Sequence, residues 1–236
     1  MLGYGYGFSG YSGLLLFAVI AVMLLGLIAQ ARVNSVFAKF SKVSASAGIS
    51  AAEMARRLLR DAGSSVQVRE VAGSLTDHYD PRNHTVGLSN SVYGYSSVAA
   101  LAVAAHEIGH VMQYEEGYLP IKLRNAVLPV ASFGSNAAPW ITILGVFMGS
   151  YNFAMVGVWL FLGILLFQFV TLPVELNASR RALAMLEGGG YLAYNEADGA
   201  RKVLRAAAMT YVVAALSALV SFLRLFLMAN SARRRD

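Results

Sequence analysis

The chain has no cysteine. That excludes disulfides and thiolate zinc sites, so any zinc bound here takes histidine and carboxylate ligands. Charge is also scarce: 14% of the 236 residues are Asp, Glu, Lys or Arg, and 57% are hydrophobic. Soluble domains are about a quarter charged. With a mean hydropathy of +0.55, this is the composition of an integral membrane protein. Acidic residues are the minority, leaving a net charge of +6. The basic residues lie beside apolar segments, as at membrane surfaces, and not in a nucleic-acid-binding pattern. No basic region precedes the first apolar run, as a cleaved signal peptide would require, so that run reads as a retained anchor. The apolar runs carry almost no charge, which argues against a transporter. There is no internal repeat and no low-complexity linker.

What is present begins with four apolar stretches. Residues 1–13 are rich in Gly and Tyr and read as irregular, with aromatics suited to an interface. Residues 13–32 have the length of a membrane span. Further spans fall at 126–148, 153–172 and 206–228, the second interrupted by Pro129 and Pro139. Residues 33–125 read as a small cytoplasmic α+β part. Ser50 caps a short helix with Glu53 at the capping-box position, and Gly63 fits its end. Residues 65–71 alternate and read as a strand, 85–88 as a second, and the intervening 73–82 (GSLTDHYDPR) as a turn-rich loop. Residues 173–205 read as a separate helical segment between the third and fourth spans. The expected architecture is a mostly α membrane protein, one membrane-integrated domain over residues 1–236.

Residues 106–110 spell His-Glu-Ile-Gly-His after an alanine-rich run, within a helix expected at about 97–115. Residues four apart share a helix face, so His106 and His110 can hold one metal ion while Glu107 sits beside it. Zinc suits imidazole, and a carboxylate beside it can act as general base. A catalytic zinc needs a third protein ligand, and Glu175 is the best-placed candidate. Pro173 suits the first turn of a helix there, whose amino-terminus would stabilise the carboxylate. The alternative for Glu175 is a plain helix-capping or interfacial carboxylate. Glu115 and Glu116 lie too near the motif to wrap back, and Glu187 and Glu196 sit in more polar contexts.

Most of the other residues have more than one reading. His78 is either a donor to a reaction oxyanion or a loop histidine satisfied by Asp77 or Asp80. His84 reads as a surface turn residue. The strand at 85–88 is either an edge that pairs with a substrate strand or an ordinary part of a sheet. Arg180 and Arg181 either steady Glu175, grip a substrate carboxyl group, or face anionic lipid headgroups.

His106-Glu107-x-x-His110, followed two spans later by Glu175-x-x-Ala178, resembles the HtpX-like and CAAX-prenyl-type membrane zinc proteases. Residues 75–82 (LTDHYDPR), 104–110 (AAHEIGH) and 175–182 (ELNASRRA) are similar to the YugP family of neutral zinc metallopeptidases. That likeness covers about residues 3–228. It implies zinc held by His106, His110 and Glu175, with Glu107 as general base. HtpX-like proteins usually carry Asp where Ser179 stands here, in a place that can orient a ligand histidine. Ser179, Asn177, Asp77 and Asp80 are all open for that role.

The expected function is a membrane-embedded, zinc-dependent endopeptidase of the gluzincin type. Its substrates would be membrane proteins or peptides near the bilayer, and its partners also include membrane lipid. The alternative is a zinc-stabilised membrane scaffold with little activity, favoured by Ser179. The expected location is a bacterial-type plasma membrane with the site facing the cytoplasm. Arg32, Lys39, Lys42, Lys122, Arg124 and the basic residues of 180–205 then fall inside. Arg233, Arg234 and Arg235 would fall outside, against that rule.

Overall fold

A computed structural model describes residues 6–232, with side chains over 13–230. It is mostly helical, with one small sheet. In order the elements are α1 (Tyr6–Phe40), α2 (Ala51–Asp61), β1 (Gln67–Val71), β2 (His78–Asp80), β3 (Thr85–Ser89), α3 (Val98–Glu115), α4 (Leu119–Phe147), α5 (Tyr151–Gly188) and α6 (Tyr194–Ala232). Among the described residues, four helices are long and apolar enough to cross a membrane: Gly13–Phe40, Leu119–Phe147, Tyr151–Gly188 and Tyr194–Asn230. The chain divides into two compact units.

The first unit holds residues 13–28, Lys122–Leu172 and 210–230. Many of its large apolar side chains are exposed, including Leu14, Phe17, Trp140 and Trp159, as suits a surface solvated by lipid. Its helices approach through small residues. A Cβ on Gly145 would collide with Ala154, and one on Gly134 would lie 2.8 Å from the Leu160 carbonyl. Without a hydrophobic drive between helices in lipid, such close backbone packing is what holds them. Pro129 and Pro139 do not interrupt α4, which runs through both. Side-chain hydroxyls bond to its carbonyls, Thr142 to Ala138 at 3.0 Å and Ser135 to Ser132 at 2.8 Å. Prolines are tolerated in spans where neighbouring helices and local adjustments take over the carbonyls left without an amide donor, here those of Asn125 and Ser135.

The second unit holds Ala29–Ile121 and Pro173–Met209. Ser50 caps α2 and accepts from the Glu53 amide at 3.2 Å. Gly63, at φ +69°, ends it, and the Ser64 amide reaches back to the Leu59 carbonyl at 2.9 Å. That left-handed turn is what glycine supplies at low cost. The sheet has the order β1-β3-β2. β1 pairs parallel to β3 and β2 antiparallel.

Helix α3 is the centre of this unit's core. Ser97 caps it, accepting from the Ala100 amide at 3.2 Å. Val98, Leu101, Ala105, Ile108 and Val111 are fully buried, clustered with Met54, Val86, Leu88 and Leu186. An alanine-rich helix fits here because it offers apolar surface on every side and little bulk.

Several expectations change. Residues 6–13 continue α1 and are not irregular, while residues 1–5 lie outside the described residues. The loop at 73–82 contains the short strand β2. β3 is the central strand, flanked on both sides, so it offers no free edge. Pro173 does not start a helix: α5 runs through it without a break, and Glu175 lies well inside α5. The helix-terminus argument for that carboxylate therefore fails. The 173–205 segment is the end of α5, a turn, and the start of α6. His84 sits in the β2–β3 turn, at φ +47°. Arg233, Arg234 and Arg235 lie outside the described residues.

Gly109 marks the tightest helix contact in this unit. A Cβ there would lie 2.6 Å from the Ala178 carbonyl oxygen. Gly109→Ala should lower stability by about 1–3 kcal/mol through overpacking. Gly94→Ala, where a Cβ meets open space, should have little effect. Thermal unfolding in detergent compares the two, and equal melting temperatures would contradict this account of the contact.

Candidate metal centre

α3 brings His106 and His110 onto one face, their ring centroids 4.7 Å apart and nearly perpendicular. α5 brings Glu175 to meet them. Its Oε2 lies 3.2 Å from His106 Nε2 and 3.5 Å from His110 Nε2. The three donor atoms all fall within 4.8 Å of one another. Ligands about 2.0–2.1 Å from a tetrahedral zinc are separated by about 3.3 Å. The two measured separations match that edge length. Glu175 is 4% exposed, so its charge is held away from water.

The far side of each imidazole explains why Nε2 faces the carboxylate. Gln113 is fully buried. Its Nε2 donates to the Val174 carbonyl at 2.8 Å and to Asn177 Oδ1 at 2.9 Å. A carbonyl only accepts, so the amide nitrogen must point there and Oε1 must face His110 Nδ1, 3.0 Å away. His110 Nδ1 therefore carries the hydrogen, and Nε2 presents a lone pair. A lone pair facing a carboxylate oxygen is favourable only with a cation between them, a proton or a metal ion. The donor set fits zinc, which would satisfy both imidazoles and the carboxylate at once.

His106 is held similarly, with Ser179 Oγ 3.2 Å from its Nδ1. Of the four residues open for orienting a ligand histidine, Ser179 makes the contact itself. Asp77 instead accepts from the Ser89 amide and hydroxyl, at 2.8 and 2.9 Å. Asp80 accepts from the Arg82 amide and from Asn83. Asn177 acts one step back. Its Oδ1 accepts from Gln113 and from Arg181 Nε at 2.8 Å. Arg181 in turn grips Glu116 with two bonds of 2.6 Å.

The electrostatics follow from burial. Burial pushes the Glu107 carboxyl above its usual range, with His106 and His110 opposing and the charges of Asp77 and Glu175 adding. Burial alone would disfavour a charged His110. The hydrogen bond that His110 donates to Glu175 and the charge of Glu107 outweigh it, so the His110 pKa is raised. An acceptor-rich site that draws a proton also draws a metal cation.

The remaining candidates have other partners. Glu115 accepts from Ser64, Glu187 pairs with Arg201, and Glu196 bonds Ser46 and the Ala193 amide. His78 lies outside the three-donor cluster. Its Nδ1 is 2.9 Å from the Thr76 carbonyl, not from Asp77 or Asp80. That bond puts the hydrogen on Nδ1, so a neutral His78 has no hydrogen on Nε2 to donate. Gln113 was missed from the sequence. Its signal was its spacing, three residues after His110 on the same face. Most glutamines at such spacing are solvated, so only its burial reveals the role.

Removing the Gln113 amide should weaken zinc binding. Gln113→Leu leaves His110 Nδ1 and the Val174 carbonyl without their partner, and affinity should fall about 10–100-fold. Competition with a chromophoric chelator measures it. Unchanged affinity would show that Gln113 does not orient His110.

The profile of the family described as "Putative neutral zinc metallopeptidase" matches residues 15–230. The chain is 46% identical over 212 residues to "Putative membrane protease YugP" of Bacillus subtilis (strain 168), covering 89% of this chain and 94% of that protein. No solved structure matches the chain. A helical membrane protein that gathers two histidines and a glutamate at one point, matched to that profile along nearly its whole length, belongs to the putative neutral zinc metallopeptidase family.

Proposed function

We propose that the protein is a membrane-embedded zinc endopeptidase of the gluzincin type. Its zinc ligands are His106, His110 and Glu175, and its general base is Glu107. The observation that carries this reading is the convergence of three donor atoms, all within 4.8 Å of one another, beside the buried carboxyl of Glu107. A zinc ion bound there would polarise a scissile carbonyl and acidify water.

The chain's own groups do the rest. Gln113 and Ser179 hold the two imidazoles with Nε2 directed at Glu175. Glu107 takes the proton of the attacking water and then delivers it to the leaving amine nitrogen. Burial raises its pKa, which makes the carboxylate a stronger base toward that water. Fixed hydrogen bonds around Gln113 keep the ligands from reorganising during the reaction. Ser179 supplies the contact to His106 that an Asp supplies in the HtpX-like pattern. The feature that favoured an inactive scaffold therefore loses its force.

The basic residues between the first and second spans and between the third and fourth favour a cytoplasmic site. Substrates are then membrane proteins, or peptides near the inner surface of the bilayer. The relative's description as a membrane protease supports that class.

Glu107→Gln should retain about one zinc per chain yet cut proteolysis by at least about 100-fold. Glu175→Ala should lose most of its zinc. Elemental mass spectrometry of detergent-purified protein reads the metal, and cleavage of an unfolded reporter protein reads activity. Normal cleavage by Glu107→Gln would sink the mechanism. Full zinc retention by Glu175→Ala would sink the ligand assignment.

A further inference from the structure

A cavity of about 220 Å³ opens between the site-bearing end of α5 and the start of α6. Three arginines line it: Arg180 from α5, Arg201 and Arg205 from α6. Like charges gathered at one opening repel, and an anion placed among them relieves that repulsion. Glu187 partly does so for Arg201, at 3.1 Å. Asp198, the other acid nearby, is engaged by Lys202 at 2.5 Å. Arg180 and Arg205 have no hydrogen-bond or ion-pair partner among the described residues. The rest of the wall is largely apolar, with Leu176, Leu183 and Leu204.

We propose that this cavity binds the phosphate of an anionic phospholipid. A planar guanidinium matches phosphate with paired hydrogen bonds, and two such forks here are free. The leucines argue for a lipid over a free ion, because inorganic phosphate gains nothing from an apolar wall. The carrying helices argue the same way. α5 and α6 are both candidate spans. Along each helix the apolar residues Leu176 and Ala208 lie nearer its membrane stretch than Arg180 and Arg205 do. A headgroup at the arginines would thus leave its acyl chains pointing along the helices towards the bilayer. Basic pockets between membrane helices bind acidic lipid headgroups in this manner. Ser179, which contacts His106, also lines the cavity, so the headgroup would sit one residue away from a proposed ligand.

The site stands apart from the catalytic reading, and its test reads neither zinc nor cleavage. Full-length protein in neutral detergent is titrated with phosphatidylglycerol or phosphatidylcholine, and bound lipid is counted by native mass spectrometry. Wild type should hold one phosphatidylglycerol in preference to phosphatidylcholine. Arg180→Gln/Arg205→Gln should weaken that binding about tenfold or more. Lys39→Gln/Lys42→Gln removes equal charge elsewhere and should leave it within about twofold. If the double arginine variant does not fold, the single exposed change Arg180→Gln carries the test, with a smaller fall expected. Equal losses in the arginine and lysine variants would overturn the proposal in favour of diffuse surface attraction. Displacement of the lipid by millimolar inorganic phosphate, or by a peptide with a free carboxyl terminus, would overturn the lipid assignment.

Discussion

The contact on which the site depends is the one between the backbones of α3 and α5 at Gly109 and Ala178. No side chain stands between them at that point. Glutamate has a short reach, and Glu175 meets both imidazoles only because the two helices run this close. Gly109 lies between the two histidines of the motif, so the residue that permits the approach sits at the level where the ligands meet. Ala178, one turn beyond Glu175, matches it from the other helix. Bulk at either place would separate the donors, and no change of rotamer would restore their spacing.

A second constraint follows from burial. Glu107, Gln113 and Glu175 are polar groups in a low-dielectric interior, where an unmet donor or acceptor is costly. The network answers Gln113 and Glu175. Gln113 joins His110 to the backbone of α5 and to Asn177, and Arg181 carries the chain of bonds out to Glu116 near the surface. The same bonds that satisfy the buried groups decide which imidazole nitrogen is left for the metal. Stability and ligand orientation are therefore one arrangement, not two.

Much of this was legible in the sequence. The metal-binding pair on α3, the capping of α2 by Ser50 and the turn at Gly63 are local matters, set within a few residues by helix periodicity and backbone preference. Proline misled twice for the same reason. Pro129 and Pro139 read as interruptions and Pro173 as a helix start because proline lacks the amide hydrogen, yet α4 and α5 pass through them. Inside a packed helical unit the neighbouring groups and the lost alternative of water keep the helix going. The central place of β3 was also out of reach, since three residues at 78–80 in a turn-rich loop give too short an alternation to announce a strand.

By itself, the sequence determined the class of this protein and the donor types open to a metal. Absent cysteine, scarce charge and long apolar runs dictate a membrane protein in which any bound zinc takes imidazole and carboxylate ligands, and the spacing of His106 and His110 puts them on one face. Only the tertiary structure decided which acid meets the two histidines and what holds each side chain in place. Glu175 is 65 residues beyond His110, and Ser179 and Gln113 act across an interface between helices. Such partnerships depend on which backbones can approach closely, and that is a property of the packed unit that no local stretch of chain encodes.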